Sequence, residues 1–232
     1  MDTRDDSVVR STLPDQGGSG GAIPASSLFF HIGETADAMH LVSAYHYSHR
    51  PPSNVQFVGS LHTKGGLFQD KGPMVAAAFF SIPPTRWSEP VLELSRLVRL
   101  PTVRIPLTML IRLCCTSLRQ KGNDLLVSFA DRTQGHEGYV YQAANWNYDG
   151  CRECRMDGLV VNGDFVPGRS CNRTWGTRSP TKLREQYPRW SIFPHYDNGK
   201  HLYWKTLNEA GQHKAERLNL YRRPYPKAGN DT

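Results

Sequence analysis

No run of eighteen apolar residues occurs in this 232-residue sequence, and its first thirty positions lack the basic-then-apolar order of a secretory signal. A helical membrane protein and an exported protein are thereby disfavoured, and a soluble protein of the cell interior is expected. Cysteine is scarce: five residues, at 114, 115, 151, 154 and 171, form an odd and unevenly spaced set. That pattern argues against a disulfide framework and for reduced thiols. Apolar residues make up only 38% of the chain, so part of it is not core-forming. There are no internal repeats.

Acidic residues are missing from one stretch in particular. Residues 166–227 hold thirteen Lys/Arg against four acids, whereas residues 1–27 hold four acids (Asp2, Asp5, Asp6, Asp15) against two arginines. A basic tail suits a polyanion such as nucleic acid, because neutralising phosphates releases condensed counterions. A merely soluble basic surface explains the charge equally well.

Residues 1–27, with "PDQGGSGGAIP" among them, have few large apolar groups to offset ordering entropy and read as a disordered leader. A core over residues 28–150 follows. "LFFHI" reads as a strand, "ETADAMHLVSAYHYS" as a helix stopped by Arg50-Pro51-Pro52, and "NVQFVGSL" with "PMVAAAFFSI" as a hairpin. "VLELSRLVRL" is a further strand and "LTMLIRLCCTSLRQKG" the clearest helix, ending at Gly122. "NDLLVSFAD" is a buried strand that places Asp131 at its end, ahead of a short helix "YVYQAANW". The fold class is therefore α/β (α+β), a mixed sheet flanked by helices, with functional groups expected where strands end. Residues 151–232 read as an irregular basic, aromatic-rich extension packed on the core, with one further helix in "LNEAGQHKAERLNLY".

The segments "AYHYSHRPP", "LELSRLVRLP", "LIRLCC" and "LVSFADRTQGHEGYVYQAANWNYDG" resemble, in order and spacing, those of the Mom family of phage DNA modification proteins, with weaker similarity at "GKHLYW". The resemblance implies a GNAT-type (GCN5-related) N-acyltransferase fold. It also implies modification of adenine in double-stranded DNA to an N6-carbamoylmethyl derivative, which blocks host restriction enzymes. An acetyl-CoA-like acyl donor, involvement of iron and a place in the host cell cytoplasm are implied with it. One departure stands out. Enzymes of that fold hold the coenzyme A pyrophosphate with a Gly-rich turn, and here the stretch is "LPTVRIP". Either coenzyme A is not bound, or binding relies on the remaining amides and on Arg99 and Arg104.

Adenine's exocyclic amine is a weak nucleophile, so its enzyme must activate the electrophile, remove a proton, or both. Asp131 is the first candidate, as acceptor, base or metal ligand; its alternative role is to cap the next turn. Tyr139 and Tyr141 share the following helix, where the resemblance implies an acid for the leaving thiolate, and Tyr141 is the choice. His46, Tyr47 and His49 crowd before Arg50. His46 and His49, three apart on a helix, could ligate iron with Asp131 or Glu93, and His136 is a rival ligand. Alternation along the strand puts Glu93 and Ser95 on one face and Arg96 on the other. The resemblance implies that this strand is the acyl-donor edge, with Ser128 serving a related role on its neighbour. Cys151, Cys154 and Cys171, completed by Cys114, His195 or His201, are a weak zinc signal, and zinc is not expected. In the tail, Arg178, Lys182, Arg184, Arg189 and Trp190 are the candidate DNA-binding residues, cations interleaved with rings. Base flipping is implied, because a stacked and paired amine cannot enter a closed site. An acyltransferase acting on another amine, and a non-catalytic zinc-containing nucleic-acid module, are the competing readings.

Overall fold

The computed structural model describes residues 22–33, 35–65, 71–84 and 86–226. Apolar spacing sets the two long helices. In α1 (Thr35–Tyr45) the buried residues are Ala38, Leu41 and Val42, and in α2 (Leu107–Gln120) they are Leu110, Ile111, Cys114 and Leu118. Residues three and four apart share a helix face, so each helix has one apolar stripe to bury. Pro106 precedes α2, and Gly122, at φ +80°, follows its end.

A seven-stranded sheet carries these helices. Its strands are β1 (Leu28–Ile32), β2 (Val55–Lys64), β3 (Lys71–Ser81), β4 (Leu92–Arg99), β5 (Leu125–Asp131), β6 (Asn147–Arg152) and β10 (Lys200–Thr206), in the order β1-β2-β3-β4-β5-β10-β6. The expected β2–β3 hairpin is antiparallel, as are all the other pairs except β4 with β5. Helix α2 and the short α3 (Tyr139–Ala143) cover one face, over Leu61, Phe80, Leu94, Leu126 and Tyr203. The other face is covered by α1, over Val58, Phe79 and Val98, and by α6 (Glu209–Arg217), over Leu125, Val127, Leu202 and Trp204.

Two boundaries fall elsewhere than composition suggests. Residues 22–27, assigned above to a disordered leader, form a 3-10 turn at Ala25–Ser27 and a bridge from Ala22 to Arg104. Residues 1–21 lie outside the described residues. The expected limit at residue 150 falls inside β6, and β10, from the supposed extension, sits between β5 and β6 in the main sheet.

The tail is also more regular than expected. β7 (Met156–Val161), β8 (Asp164–Pro167) and β9 (Ile192–Tyr196) form a second sheet in the order β8-β7-β9. α4 (Gly168–Trp175) and α5 (Pro180–Gln186) pack on it around Leu159, Val161, Cys171, Leu183 and Ile192. Elements of four to eight residues are too short for helical or strand periodicity to show in a sequence window.

Candidate active site

β4 and β5 run parallel but pair only at Leu92 with Leu126 and Glu93 with Val127. Beyond those pairs the strands part, and a slot opens in the middle of the sheet. Ser128 Oγ donates to the Leu94 carbonyl at 2.8 Å at the fork. The slot widens into a cavity of about 590 Å³, walled by β4 from Glu93 to Arg99, by Phe129 to Asp131, by the loop and helix from Gly135 to Tyr141, and by the segment from Tyr45 to Tyr47.

A β-bulge decides which residues of β4 face this slot. Phe80 pairs with Leu94 and Phe79 with Arg96, which leaves Ser95 as the extra residue. Arg96 thereby joins Glu93 on the α1 face, opposite to the strict alternation expected from the sequence. Ser95 turns its hydroxyl to Ser81 Oγ at 2.8 Å. Arg96 holds the neighbouring loop, donating from Nε to the Arg50 carbonyl at 3.0 Å. Burial raises the Glu93 carboxyl above its usual range, against the opposing charges of Arg96, Lys200 and Arg169. Arg169 belongs to α4, so the charge of the small module is felt at Glu93.

Register places the remaining groups on the two sides of the slot. Asp131 pairs with Lys200 and Val127 with Glu93, on the α1 and α6 face, while Ser128 pairs with Tyr203 on the α2 and α3 face. Asp131 is both a cap and a cavity residue: Oδ1 accepts from Thr133 N at 3.0 Å, and Oδ2 lies 3.7 Å from Lys200 Nζ. Tyr141 is buried between Trp146 and Tyr203, with ring centroids 5.5 and 5.2 Å away. Burial pushes its phenol up to about 12, against a lowering contribution from the Ser128 hydroxyl. Tyr139, on the same helix, also lines the cavity but is exposed.

His46, Tyr47 and His136 form a roof. The Tyr47 ring lies 4.4 Å from the His46 ring and 4.9 Å from that of His136. Partial burial and the charge of Asp131 raise the Tyr47 phenol. His46 is lowered to about 4 by burial, helped by the charges of Arg96, His136 and His49. Ser48 N donates to His46 Nδ1 at 3.2 Å. Since a backbone amide can only donate, Nδ1 is the acceptor and the neutral ring carries its proton on Nε2.

The expected iron site does not assemble. α1 ends at Tyr45, so His46 and His49 share no helix face, and His49 is exposed, with Nδ1 2.9 Å from the Ser43 carbonyl. Among the described residues no group of three His, Cys, Asp or Glu side chains could hold a metal ion. The cysteines are dispersed, with Cys114 and Cys171 buried in different cores and Cys151 and Cys154 exposed.

The basic candidates divide as well. Arg99 lines the cavity and donates to the Ile105 carbonyl at 3.0 Å, whereas Arg104 is exposed at the bridge to Ala22 and does not line it. Leu107, the first residue of α2, does line it, and brings a helix N-terminus to the end of β4. Arg178, Lys182 and Arg189 are exposed on the small module. Arg184 instead donates to the Ile192 carbonyl through Nε and Nη2 and lies 5.9 Å over the Phe193 ring. Trp190 stacks on Tyr187 at 4.1 Å and meets Trp175 edge-on, a packing role in the small core.

Glu137 lines the cavity without having been singled out in the sequence, and Lys200, a cation of the basic tail, lines it too. "QGHEG" held a usable signal in its two glycines. Gly135 and Gly138 adopt φ of +67° and +75°, and a Cβ at Gly138 would overlap the Tyr203 ring. The loop can close on the sheet only with glycine there.

The chain is similar in structure to several acetyltransferases at low sequence identity. A GNAT family N-acetyltransferase (YhbS) from Escherichia coli in complex with CoA has a TM-score of 0.46 at 13% identity, over 82% of this chain and 86% of that one. A GNAT family acetyltransferase from Elizabethkingia anophelis with acetyl-CoA bound has a TM-score of 0.43 at 10% identity, over 78% and 98%. The ribosomal-protein-S18-alanine N-acetyltransferase from Escherichia coli has a TM-score of 0.44 at 13% identity, over 80% and 97%. Among curated proteins none matches the sequence. The family comparison is direct: residues 27–227 match the Mom protein family, a span that takes in the slot, its roof and the small module, and the chain belongs to that family.

Proposed function

We propose that the protein transfers a two-carbon unit from an acyl thioester to the exocyclic amine of adenine in double-stranded DNA. The observation that carries this reading is the slot itself. It puts an uncharged, buried phenol, Tyr141, on one side of the sheet and the carboxylates Asp131 and Glu93 on the other, within one cavity. An acyl thioester bound there supplies an activated carbonyl carbon and a thiolate leaving group. The unpaired part of β4 offers backbone groups to an extended pantetheine arm. The free amides at the start of α2, with Arg99, suit its phosphates and stand in for the missing glycine turn.

Each group then has a task set by its surroundings. Tyr141, with its phenol at about 12, keeps its proton at physiological pH and offers it to the sulfur as negative charge builds there. Asp131, fixed by Thr133 and facing Lys200, offers a rigid acceptor for the amine. His46 is neutral at physiological pH and offers Nε2–H. The exposed cations Arg178, Lys182 and Arg189 supply phosphate contacts that hold the duplex while an adenine is flipped. Family membership supports DNA as the acceptor, adenine as the base and the host cytoplasm as the place of action.

The test is mass spectrometry of nucleosides from cellular DNA with and without expression of the protein. A modified adenosine is expected, and the adduct mass separates a simple N6-acyl group from the N6-carbamoylmethyl group that the resemblance implies. An unmodified adenine pool under good expression overturns the proposal.

A further inference from the structure

Behind the cavity wall lies a line of polar groups that the reading above does not use. Glu137 faces the cavity, with its side chain 28% exposed, and its Oε2 lies 3.0 Å from His201 Nε2. His201 is buried on β10, and its Nδ1 lies 2.8 Å from the hydroxyl of buried Tyr148 on β6. The backbone of Glu137 is pinned too, its carbonyl accepting from Tyr203 OH at 2.5 Å and from Gln142 Nε2 at 3.0 Å. A surface carboxylate held at both backbone and side chain, by two buried groups from the central sheet, is far more constrained than an exposed loop residue needs to be.

Chemistry fixes the direction of this line. Burial pushes the Tyr148 phenol up to about 12, so it remains protonated and donates to Nδ1. A carboxylate oxygen cannot donate, so the proton of a neutral imidazole belongs on Nε2, which lies 3.0 Å from Oε2. One oxygen of Glu137 thus lies in charge contact with the imidazole at 3.0 Å, short of an aligned hydrogen bond, and among the described residues no partner is seen for Oε1. Asp131 differs, because its two oxygens face Thr133 N and Lys200.

We propose that Glu137 is the catalytic base of the cavity, and that His201, backed by Tyr148, positions its carboxylate for the proton that the acceptor amine loses. This rests on the acyl-transfer reading. The amine nitrogen forms a bond to the acyl carbon, and the C–S bond breaks with its electron pair going to sulfur. The thiolate takes a proton from Tyr141, and the amine proton passes to Glu137 Oε1, after which solvent restores both groups. Asp131 then serves as the fixed acceptor that orients the amine.

Two measurements on the full chain test this. Adduct yield in cellular DNA, taken early after induction so that sites are not saturated, is expected to fall about a hundredfold or more in Glu137→Gln. Glu137→Asp should recover part of the yield. His201→Gln should lose about tenfold, with a melting temperature near that of the wild type. The second measurement needs no substrate: imidazole ¹⁵N spectra of the wild type should show His201 with its proton on Nε2, and Tyr148→Phe should disturb that tautomer. Glu137→Gln within threefold of wild type overturns the catalytic assignment while leaving adenine modification intact. A His201 proton on Nδ1 overturns the positioning. A wild type that forms no adenine adduct overturns the acyl-transfer reading and with it the base assignment, and the spectra still decide the positioning.

Discussion

Ser128 Oγ and the Leu94 carbonyl meet at 2.8 Å where β4 and β5 stop pairing, so a side-chain hydrogen bond stands at the point where the backbone ladder ends. Ser128 was expected to serve chemistry directly. Its hydroxyl is fully buried and acts instead on the shape of the slot and on Tyr141. Ser128→Ala is expected to leave a buried acceptor unpaired and cost about 1–3 kcal/mol of stability. Urea unfolding measures this, and an undiminished midpoint would show that the fork holds without the bond.

Asp131→Asn keeps the shape of the side chain and can still cap the turn through Thr133 N. The fold and DNA affinity should survive while adduct formation drops about a hundredfold, the scale of a lost contact that orients the acceptor amine. Near-normal modification by a well-folded variant would remove Asp131 from the mechanism.

His46 gives a pH signature of its own. Its pKa in the folded chain is about 4, below the 6.5 of an unperturbed histidine, so the unfolded chain binds the extra proton between those values. The stability that depends on a neutral His46 is present above pH 6.5 and is lost as pH falls toward 4. His46→Gln should flatten the rise of unfolding free energy across that window by up to about one proton's worth of slope. An identical slope in the variant would place the titration elsewhere.

Cations of the small module should separate by role. Replacing Arg178, Lys182 and Arg189 with alanine is expected to weaken binding to all DNA sequences alike. The log-log salt dependence should become shallower by about 0.9 for each phosphate that is no longer neutralised. Arg184→Ala should instead lower the melting temperature, because its guanidinium ties α5 to the Ile192 carbonyl. An unchanged salt slope in the triple variant moves the DNA surface away from this face.

Gly138 carries the loop from Gly135 to Tyr141 against Tyr203. The left-handed backbone alone costs an alanine there about 1–2 kcal/mol, and the overlap with the ring adds to it. Gly138→Ala is therefore expected to lose adduct formation and thermal stability together, unlike Asp131→Asn. Retention of both would show that the loop can shift without harm.

By itself the sequence determined most elements of residues 28–150. Helical spacing in α1 and α2, the β2–β3 hairpin and Asp131 at a strand end are local patterns, set by apolar periodicity and by turn residues within a dozen positions. Local pattern alone did not separate Tyr141 from exposed Tyr139, and the choice between them rested on the resemblance. Tertiary structure decided the rest. β10 enters between β5 and β6 because Leu202 and Tyr203 bury on opposite faces of a sheet whose other members lie about fifty or more residues earlier, a pairing no window of sequence contains. The bulge at Ser95, which turns Arg96 to the side of Glu93, depends on register with β3 and overrides strict alternation. Glu137, His201 and Tyr148 come from a loop and two strands, and only sheet order puts a cavity carboxylate, an imidazole and a phenol in line.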